Sequence, residues 1–159
     1  MRTTRYAKIF GSGPVGLVFS LILLVVAFWI NKQIGPTPIL DDQRVRSSIF
    51  LVSVLATISV VVWSLKSLPT RDRGNRLCTE GAFKYVRHPL YAAFLSVFNF
   101  GLAIYLNSIV FVLWAVILHP IWHYTIRHEE RLMIEIFGNQ YLDYQKRTGR
   151  FVPKLRFRS

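Results

Sequence analysis

The stretch from His88 to Ile126 contains no Asp, Glu, Lys or Arg, and this long uncharged segment constrains the fold more than any other feature. A helix needs about 20 apolar residues to cross a bilayer, so the segment is long enough for two crossings joined by a tight turn. The polar pair Asn107-Ser108 is the predicted position of that turn. Such a helical hairpin would bring both ends of the segment to the same face of the membrane.

Two earlier segments, residues 9–31 and 47–65, are also free of charged side chains. Together with the hairpin they predict an all-α, polytopic membrane protein that forms a single domain over residues 1–159. Because 52% of the residues are hydrophobic, a soluble protein of this length could not cover all of these segments. The predicted transmembrane helices are residues 13–33, 47–66, 89–106 and 108–127.

The last transmembrane helix is predicted to continue beyond Ile126 as an amphipathic cytoplasmic extension, because its apolar residues recur at helical spacing. Gly138 is a suitable helix end, and a second short helix carrying Tyr141 and Tyr144 is expected after it. The apolar residues of the extension are Leu132, Met133, Ile136 and Phe137.

The net charge of +12 is unevenly distributed along the chain, and its distribution predicts the orientation in the membrane. Basic residues concentrate on the cytoplasmic side of membrane proteins, so both termini are predicted to be cytoplasmic, in a prokaryotic inner membrane or in the endoplasmic reticulum of a eukaryote. Such charge attracts anionic headgroups, so membrane lipids are expected partners and nucleic acid is not. The basic residues of the N-terminal arm, the second loop and the tail are Arg2, Arg5, Lys8, Lys66, Arg71, Arg73, Arg76, Lys84, Arg87, Arg127, Arg131, Lys146, Arg147, Arg150, Lys154, Arg156 and Arg158.

The segment Arg87-His88-Pro89-Leu90-Tyr91 precedes the hairpin and is a candidate site. Proline is favoured in the first turn of a helix, so Pro89 should begin the third transmembrane helix. His88 and Tyr91 would then share one face at its cytoplasmic end. Taken alone, the segment also fits an ordinary interfacial belt, in which such residues are common.

The adjacent pair Glu129-Glu130 follows the hairpin and opposes the basic trend of this membrane face. Adjacent helical residues point about 100° apart, so at most one carboxylate can face a pocket squarely. The other should meet solvent or a basic partner such as Arg87. A surface salt bridge and a bound cation are the two explanations for the acidic pair.

The histidines near this pair could be drawn as a metal site, since imidazoles four residues apart on a helix can chelate a metal. His119, His123 and His128 are too few for a membrane di-iron enzyme, so no metal is predicted and interhelical hydrogen bonding or pocket lining is expected. The lone cysteine, Cys78, excludes an intrachain disulfide and is expected to be a loop thiol.

Taken together, the two blocks resemble the isoprenylcysteine carboxyl methyltransferase family, and phospholipid N-methyltransferases share much of the pattern. The resemblance covers residues 81–153, and the matching residues are Gly81, Phe83, Val86, Arg87, His88, Pro89, Tyr91, Glu129, Glu130, Phe137, Gly138, Tyr141, Tyr144, Arg147 and Pro153. Ala93, Met133 and Thr148-Gly149 depart from it, where the family usually has Gly, Leu and Val-Pro. The last departure is expected to loosen a segment over the pocket.

The resemblance implies an integral-membrane methyltransferase that uses S-adenosylmethionine, which enters from the cytoplasm, and a lipophilic substrate that arrives from the bilayer. Glu130, Arg87 and Arg150 are the residues it suggests as catalytic. The carboxylates suit the ammonium of the cofactor, an arginine suits its carboxylate, and aromatic faces attract its sulfonium. The expected cofactor-binding residues are Arg87, His88, Pro89, Tyr91, Glu129, Glu130, Tyr141 and Tyr144.

The predicted acceptor is a carboxylate, as on a prenylated cysteine, because a carboxylate is already ionised and needs no general base. A phospholipid amine is the next candidate and would need a base such as His88 or a glutamate; a small thiol is a third. Two other functional classes remain open from the sequence: a sterol-type reductase that uses NADPH, and a membrane adaptor or transporter subunit without a cofactor.

Overall fold

The computed structural model describes residues 13–69 and 75–154, and within these ranges the secondary structure is helical. Four helices are long and apolar enough to cross a membrane, which confirms the predicted multi-pass fold. They are α1 (Gly13–Ile34), α2 (Gln43–Ser67), α3 (Pro89–Leu106) and α4 (Ile109–Phe137), followed by the short helix α5 (Asn139–Arg147). The predicted N-terminal arm with Arg2, Arg5 and Lys8, and the basic residues Arg71, Arg73, Arg156 and Arg158, lie outside the described residues.

Helix α2 begins at Gln43, before the predicted start at residue 47, because Asp42 caps it. The Asp42 carboxylate accepts hydrogen bonds from the backbone N–H groups of Arg44, at 2.7 Å, and Val45, at 3.3 Å. This capping satisfies donors that the first helical turn leaves without a partner. Arg44 and Arg46 lie in this turn, so the uncharged segment that predicted the helix begins only after it.

The hairpin turn lies at Asn107-Ser108, as predicted. Asn107 adopts the left-handed conformation, with φ 54° and ψ 46°, and Ser108 caps α4. The side-chain oxygen of Asn107 accepts hydrogen bonds from the backbone N–H groups of Ile39, at 2.9 Å, and Leu40, at 3.0 Å. Asn107 therefore fastens the loop between α1 and α2 to the tip of the hairpin.

Helix α4 continues without a break to Phe137 although Pro120 lies inside it. Gly138, with φ 54°, ends the helix, and α5 starts at the next residue. Both features confirm the predicted extension and the predicted short helix. The part of α4 beyond Ile126 thus connects the membrane-spanning hairpin to α5.

Helix α1 packs against α4 through a small residue facing a large aromatic one. A Cβ atom at Gly16 would lie 2.6 Å from the indole ring of Trp122, so only glycine permits this approach. The Trp122 Nε1–H donates to the Ser20 hydroxyl at 2.9 Å. Within the core, Phe111, Leu118 and Ile126 of α4 are almost completely buried.

The outer faces of α1 and α2 expose large apolar side chains. Leu21, Val25 and Val52 are 53%, 69% and 65% exposed, respectively. Exposed apolar surface of this extent is unfavourable in water and suits contact with lipid. The chain is therefore a multi-pass membrane protein, as the sequence predicts.

Candidate active site

Pro89 begins helix α3, and His88 occupies the position just before it, where its side chain is buried. The chain after α5 folds back onto this segment. The Arg87 N–H donates to the Gly149 carbonyl at 2.8 Å, and the His88 N–H donates to the Arg150 carbonyl at 3.2 Å. These backbone bonds place Arg150 next to the start of α3. No local sequence signal indicates this contact.

Glu130 is the buried centre of a charge cluster. Its side chain is 5% exposed, and its Oε1 accepts a hydrogen bond from Arg87 Nε at 2.8 Å. Its Oε2 accepts a hydrogen bond from Arg150 Nη2. A buried carboxylate needs such partners to offset its loss of hydration. Glu130 is thus the acidic residue that meets basic partners, one of the alternatives that the sequence left open.

Glu129 approaches the same cluster from the side of α3. The Tyr91 hydroxyl donates to Glu129 Oε2 at 3.4 Å, and His88 Nδ1 lies 3.8 Å from Glu129 Oε1. On the other edge of the imidazole, His88 Nε2 lies 3.4 Å from Glu130 Oε1. His88 is therefore flanked by both carboxylates, and its ring stacks on that of Tyr91 with centroids 5.7 Å apart.

Arg87 connects the cluster to the C-terminal end of α5. Its Nη1 donates to the carbonyls of Gln145, at 3.4 Å, and of Thr148. A cation at this position satisfies carbonyls that the last helical turn leaves free and interacts favourably with the helix dipole. One side chain thereby joins α4, α5 and the segment that precedes α3.

Arg150 is held by His123, for which the sequence predicted interhelical hydrogen bonding or pocket lining. Its Nη1 donates to the His123 carbonyl at 3.0 Å and lies 3.0 Å from His123 Nδ1. The Phe151 ring packs edge-on against the imidazoles of His123, at 4.8 Å, and His88, at 6.3 Å. The only available signal for Phe151 was its position directly after Arg150.

The expected loosening around Thr148-Gly149 does not fit the packing of this segment. Thr148 is buried, and the carbonyl of Gly149 accepts the bond from Arg87. A Cβ atom at Gly149 would collide with the carbonyl oxygen of Val152. Glycine is therefore required by a close backbone approach, and the segment is well anchored.

The two tyrosines of α5 lie on its buried face, but they have different surroundings. The Tyr144 hydroxyl donates to the Phe83 carbonyl at 2.6 Å, so it holds α5 on the turn of residues 81–84 and is not directed at the carboxylates. Burial raises the pKa of Tyr144 above its ordinary value. Burial also raises the pKa of Tyr141, and the negative charge of Glu130 adds to this effect.

The histidines do not form a metal-binding arrangement among the residues that the structure describes. No group of three or more His, Cys, Asp or Glu side chains could hold a metal ion there. His119 packs against the Phe100 ring, with centroids 6.0 Å apart, and His123 contacts Arg150. Cys78 is buried, and its thiol donates to the Ser67 carbonyl at 3.4 Å.

Two buried nitrogen atoms of the cluster have no hydrogen-bond partner within residues 13–69 and 75–154: His88 Nε2 and Arg150 Nε. Unsatisfied buried polar atoms are uncommon and indicate a missing partner. The Arg150 Nε–H could donate to an anionic group, and Glu129 could accept from a cationic one. A zwitterionic amino-acid moiety such as that of S-adenosylmethionine fits this donor and acceptor set.

Comparison with known proteins shows which families this chain resembles. A family model described as phospholipid methyltransferase matches residues 44–140. Methanethiol S-methyltransferase of Pseudomonas deceptionensis is 28% identical over 153 residues, which cover 86% of this chain and 57% of the relative. Methanethiol S-methyltransferase 2 of Bradyrhizobium diazoefficiens is 30% identical over 157 residues, which cover 87% of this chain and 58% of the relative.

Protein-S-isoprenylcysteine O-methyltransferase B of Arabidopsis thaliana is 33% identical over 84 residues, which cover 52% of this chain and 42% of the relative. The chain thus spans about half the length of these relatives. The similarity to an isoprenylcysteine O-methyltransferase confirms the resemblance that the two sequence blocks indicated. Since the family match extends over more than half of the chain, the protein belongs to the phospholipid methyltransferase family.

Proposed function

We propose that the protein is an integral-membrane methyltransferase that transfers a methyl group from S-adenosylmethionine to a lipophilic acceptor. The observation that carries the proposal is the convergence of His88, Tyr91, Glu129 and Arg150 at one end of the helical hairpin. The family membership and the names of the similar proteins support the same reaction class. The concentration of basic residues at this end supports a cytoplasmic site.

The residues of the cluster suit the charges of the methyl donor. Glu129 would accept from its ammonium, and Arg150 would pair with its carboxylate. The stacked rings of His88 and Tyr91 would offer aromatic faces near the cationic sulfur. When bound, the donor supplies a methyl group that is already activated on a sulfonium.

Glu130, Arg87 and Arg150 would contribute mainly by positioning. Glu130 is occupied by both guanidinium groups, so it would fix the direction in which Arg150 presents its Nε–H. Methyl transfer is an in-line displacement, and correct alignment can supply a large part of the rate enhancement. The buried aromatic surroundings of the cluster would also exclude water from the reacting groups.

The acceptor that we propose first is the carboxylate of a prenylated cysteine, which is ionised and needs no general base. A small thiol is the second candidate, because the two methanethiol S-methyltransferases match 86% and 87% of this chain. A thiol or an amine must lose a proton, and the His88 imidazole beside Glu129 is the candidate to accept it. Phospholipid amines follow from the description of the family.

Two measurements on the purified protein in detergent test the reaction class. Calorimetry should detect binding of S-adenosylmethionine and of its demethylated product but not of NADPH. A labelled methyl group should then pass to one acceptor in a panel of prenylcysteine, methanethiol and phosphatidylethanolamine. Binding of NADPH in place of the methyl donor would indicate a reductase, and a folded protein that binds neither would fit an adaptor or transporter subunit.

A matched pair of variants tests the site itself. Glu129→Gln should weaken binding of S-adenosylmethionine at least about tenfold, because a hydrogen bond to a charged group contributes about 1.5–3 kcal/mol. Glu135→Gln is the control, since Glu135 lies on the same helix and is exposed. Equal affinity of the two variants for the donor would contradict the proposed role of Glu129.

A further inference from the structure

A basic cavity lies beside the candidate active site, between the segment of residues 77–85, helix α5 and residues 153–154. Its volume is about 670 Å³, and its lining includes three cationic side chains, Lys84, Arg147 and Lys154. We propose that this cavity binds the phosphate of an anionic lipid headgroup. The inference is independent of the proposed reaction, because it depends on other side chains.

The cavity and the Glu130 cluster are lined by different side chains. Tyr144 and Thr148 line the cavity. The Tyr144 hydroxyl donates to the Phe83 carbonyl at 2.6 Å, and the Thr148 carbonyl accepts from Arg87. Neither Glu129 nor Glu130 lines the cavity, so a ligand held there would not contact the carboxylate pair.

The charge of the cavity favours an anion. Among the described residues, no carboxylate lies within ion-pair distance of Lys84, Arg147 or Lys154, and the hydrogen bonds recorded for these cations go to backbone carbonyls. The one acidic lining residue, Asp143, is paired with Lys146 at 2.9 Å, and Lys146 does not line the cavity. The positive charge of the cavity is therefore left for an external group.

The position of the cavity relative to the membrane surface indicates a lipid ligand. Tyr85 lines it, and its ring packs against that of Trp63, near the end of α2, with centroids 5.8 Å apart. Both rings are about half exposed, Tyr85 at 54% and Trp63 at 45%. Tyr and Trp concentrate at the level of the headgroups, so the cavity lies where lipid phosphates are. Basic pockets at this level are suited to anionic headgroups.

The experiment compares Arg147→Glu with the control Arg131→Glu in the full-length protein. Both residues are exposed, Arg131 does not line the cavity, and both substitutions change the charge by the same amount. Binding of phosphatidylglycerol and phosphatidylcholine is titrated in detergent by native mass spectrometry, after circular dichroism has verified the helix content. Lys84→Glu is the second test variant, because Lys84 is exposed and lies outside α1 to α5.

We expect phosphatidylglycerol to bind at least tenfold more weakly to Arg147→Glu and Lys84→Glu, and with less than a twofold change to Arg131→Glu. Phosphatidylcholine should bind more weakly than phosphatidylglycerol to the unmodified protein. Inorganic phosphate is added as a competitor: displacement would show that the phosphate group alone suffices, and no displacement would show that the lipid is required. Unchanged phosphatidylglycerol binding to both test variants, or equal binding of the two lipids, would overturn the proposal.

Discussion

Arg87 Nε donates a hydrogen bond to Glu130 Oε1 across 2.8 Å, although the two residues are 43 positions apart in the chain. Both side chains are almost fully buried. Arg150 completes the arrangement from the other oxygen of the carboxylate. The start of α3, the C-terminal part of α4 and the segment after α5 are therefore joined at one carboxylate, and the candidate active site is built around this junction.

Replacing Glu130 by Ala should destabilise the protein strongly. The substitution leaves the buried Arg87 and the partly buried Arg150 without their carboxylate, and breaking a buried pair in this way lowers the free energy of unfolding by about 3–5 kcal/mol. Thermal unfolding in detergent, followed by circular dichroism, measures the effect. Glu135→Ala removes an exposed carboxylate of the same helix and should change the free energy by no more than about 0.5 kcal/mol. Equal melting temperatures for the two variants would refute the anchoring role of Glu130.

Gly149→Ala should displace the segment that carries Arg150. The added methyl group would collide with the Val152 carbonyl, and overpacking of this kind lowers the free energy of unfolding by about 1–3 kcal/mol. Binding of S-adenosylmethionine, measured by calorimetry, should weaken as well. Val152→Ala is the control, because that side chain is 65% exposed. A Gly149→Ala protein that binds the donor as tightly as the control would show that this backbone approach is unimportant for the site.

The stability of the protein should decrease at alkaline pH, in part through Tyr144. Burial raises the pKa of this phenol in the folded state above its ordinary value of about 10. Its contribution to stability is therefore fully present below about pH 10 and is lost at higher pH, where the unfolded chain releases the proton and the folded chain retains it.

Tyr144→Phe should reduce this alkaline loss and should also lower the free energy of unfolding at neutral pH by about 1–3 kcal/mol, because the buried Phe83 carbonyl loses its donor. Melting temperatures recorded between about pH 8 and 11 separate the two effects. Tyr124→Phe is the control, since Tyr124 is 73% exposed. A Tyr144→Phe variant with the same pH profile as this control would disagree with the expectation.

Three substitutions at Asn107 should affect stability in a defined order. Asp keeps the acceptor for Ile39 and Leu40 and should have the smallest effect. Gly keeps access to the left-handed conformation but loses the two bonds, at about 1 kcal/mol each. Ala loses the bonds and adds roughly 1–2 kcal/mol of backbone strain. Melting temperatures measured for the set should fall from Asp to Gly to Ala, and an Ala variant as stable as the Asp variant would contradict this account.

The fold was largely predictable because its signals are local. Long uncharged segments predicted the helices that span the membrane, and Pro89, Asn107-Ser108 and Gly138 marked three helix boundaries correctly. The predicted start of α2 is too late because the uncharged segment begins only at residue 47. Arg44 and Arg46 lie in a helical turn that Asp42 caps, so the helix extends beyond its uncharged part.

For the candidate site, the sequence predicted which residues take part but not how they contact one another. The hairpin topology implied that His88 and Glu130 would meet, and the structure brings them to 3.4 Å. For His123 the sequence predicted interhelical hydrogen bonding or pocket lining but not Arg150 as its partner, and Phe151 carried no distinctive pattern, because these contacts depend on how the segment after α5 packs on α4. The cofactor-binding and catalytic roles of the predicted site residues stay predictions that the experiments above address.

By itself, the sequence determined the number of membrane crossings and the end of the hairpin at which the polar residues gather, because the thickness of a bilayer sets the length of each apolar helix. Tertiary structure alone decided how the two adjacent glutamates divide their contacts. Glu130 faces two arginines, and Glu129 faces Tyr91, since neighbouring positions on a helix point in different directions and the elements packed around α4 differ on each side.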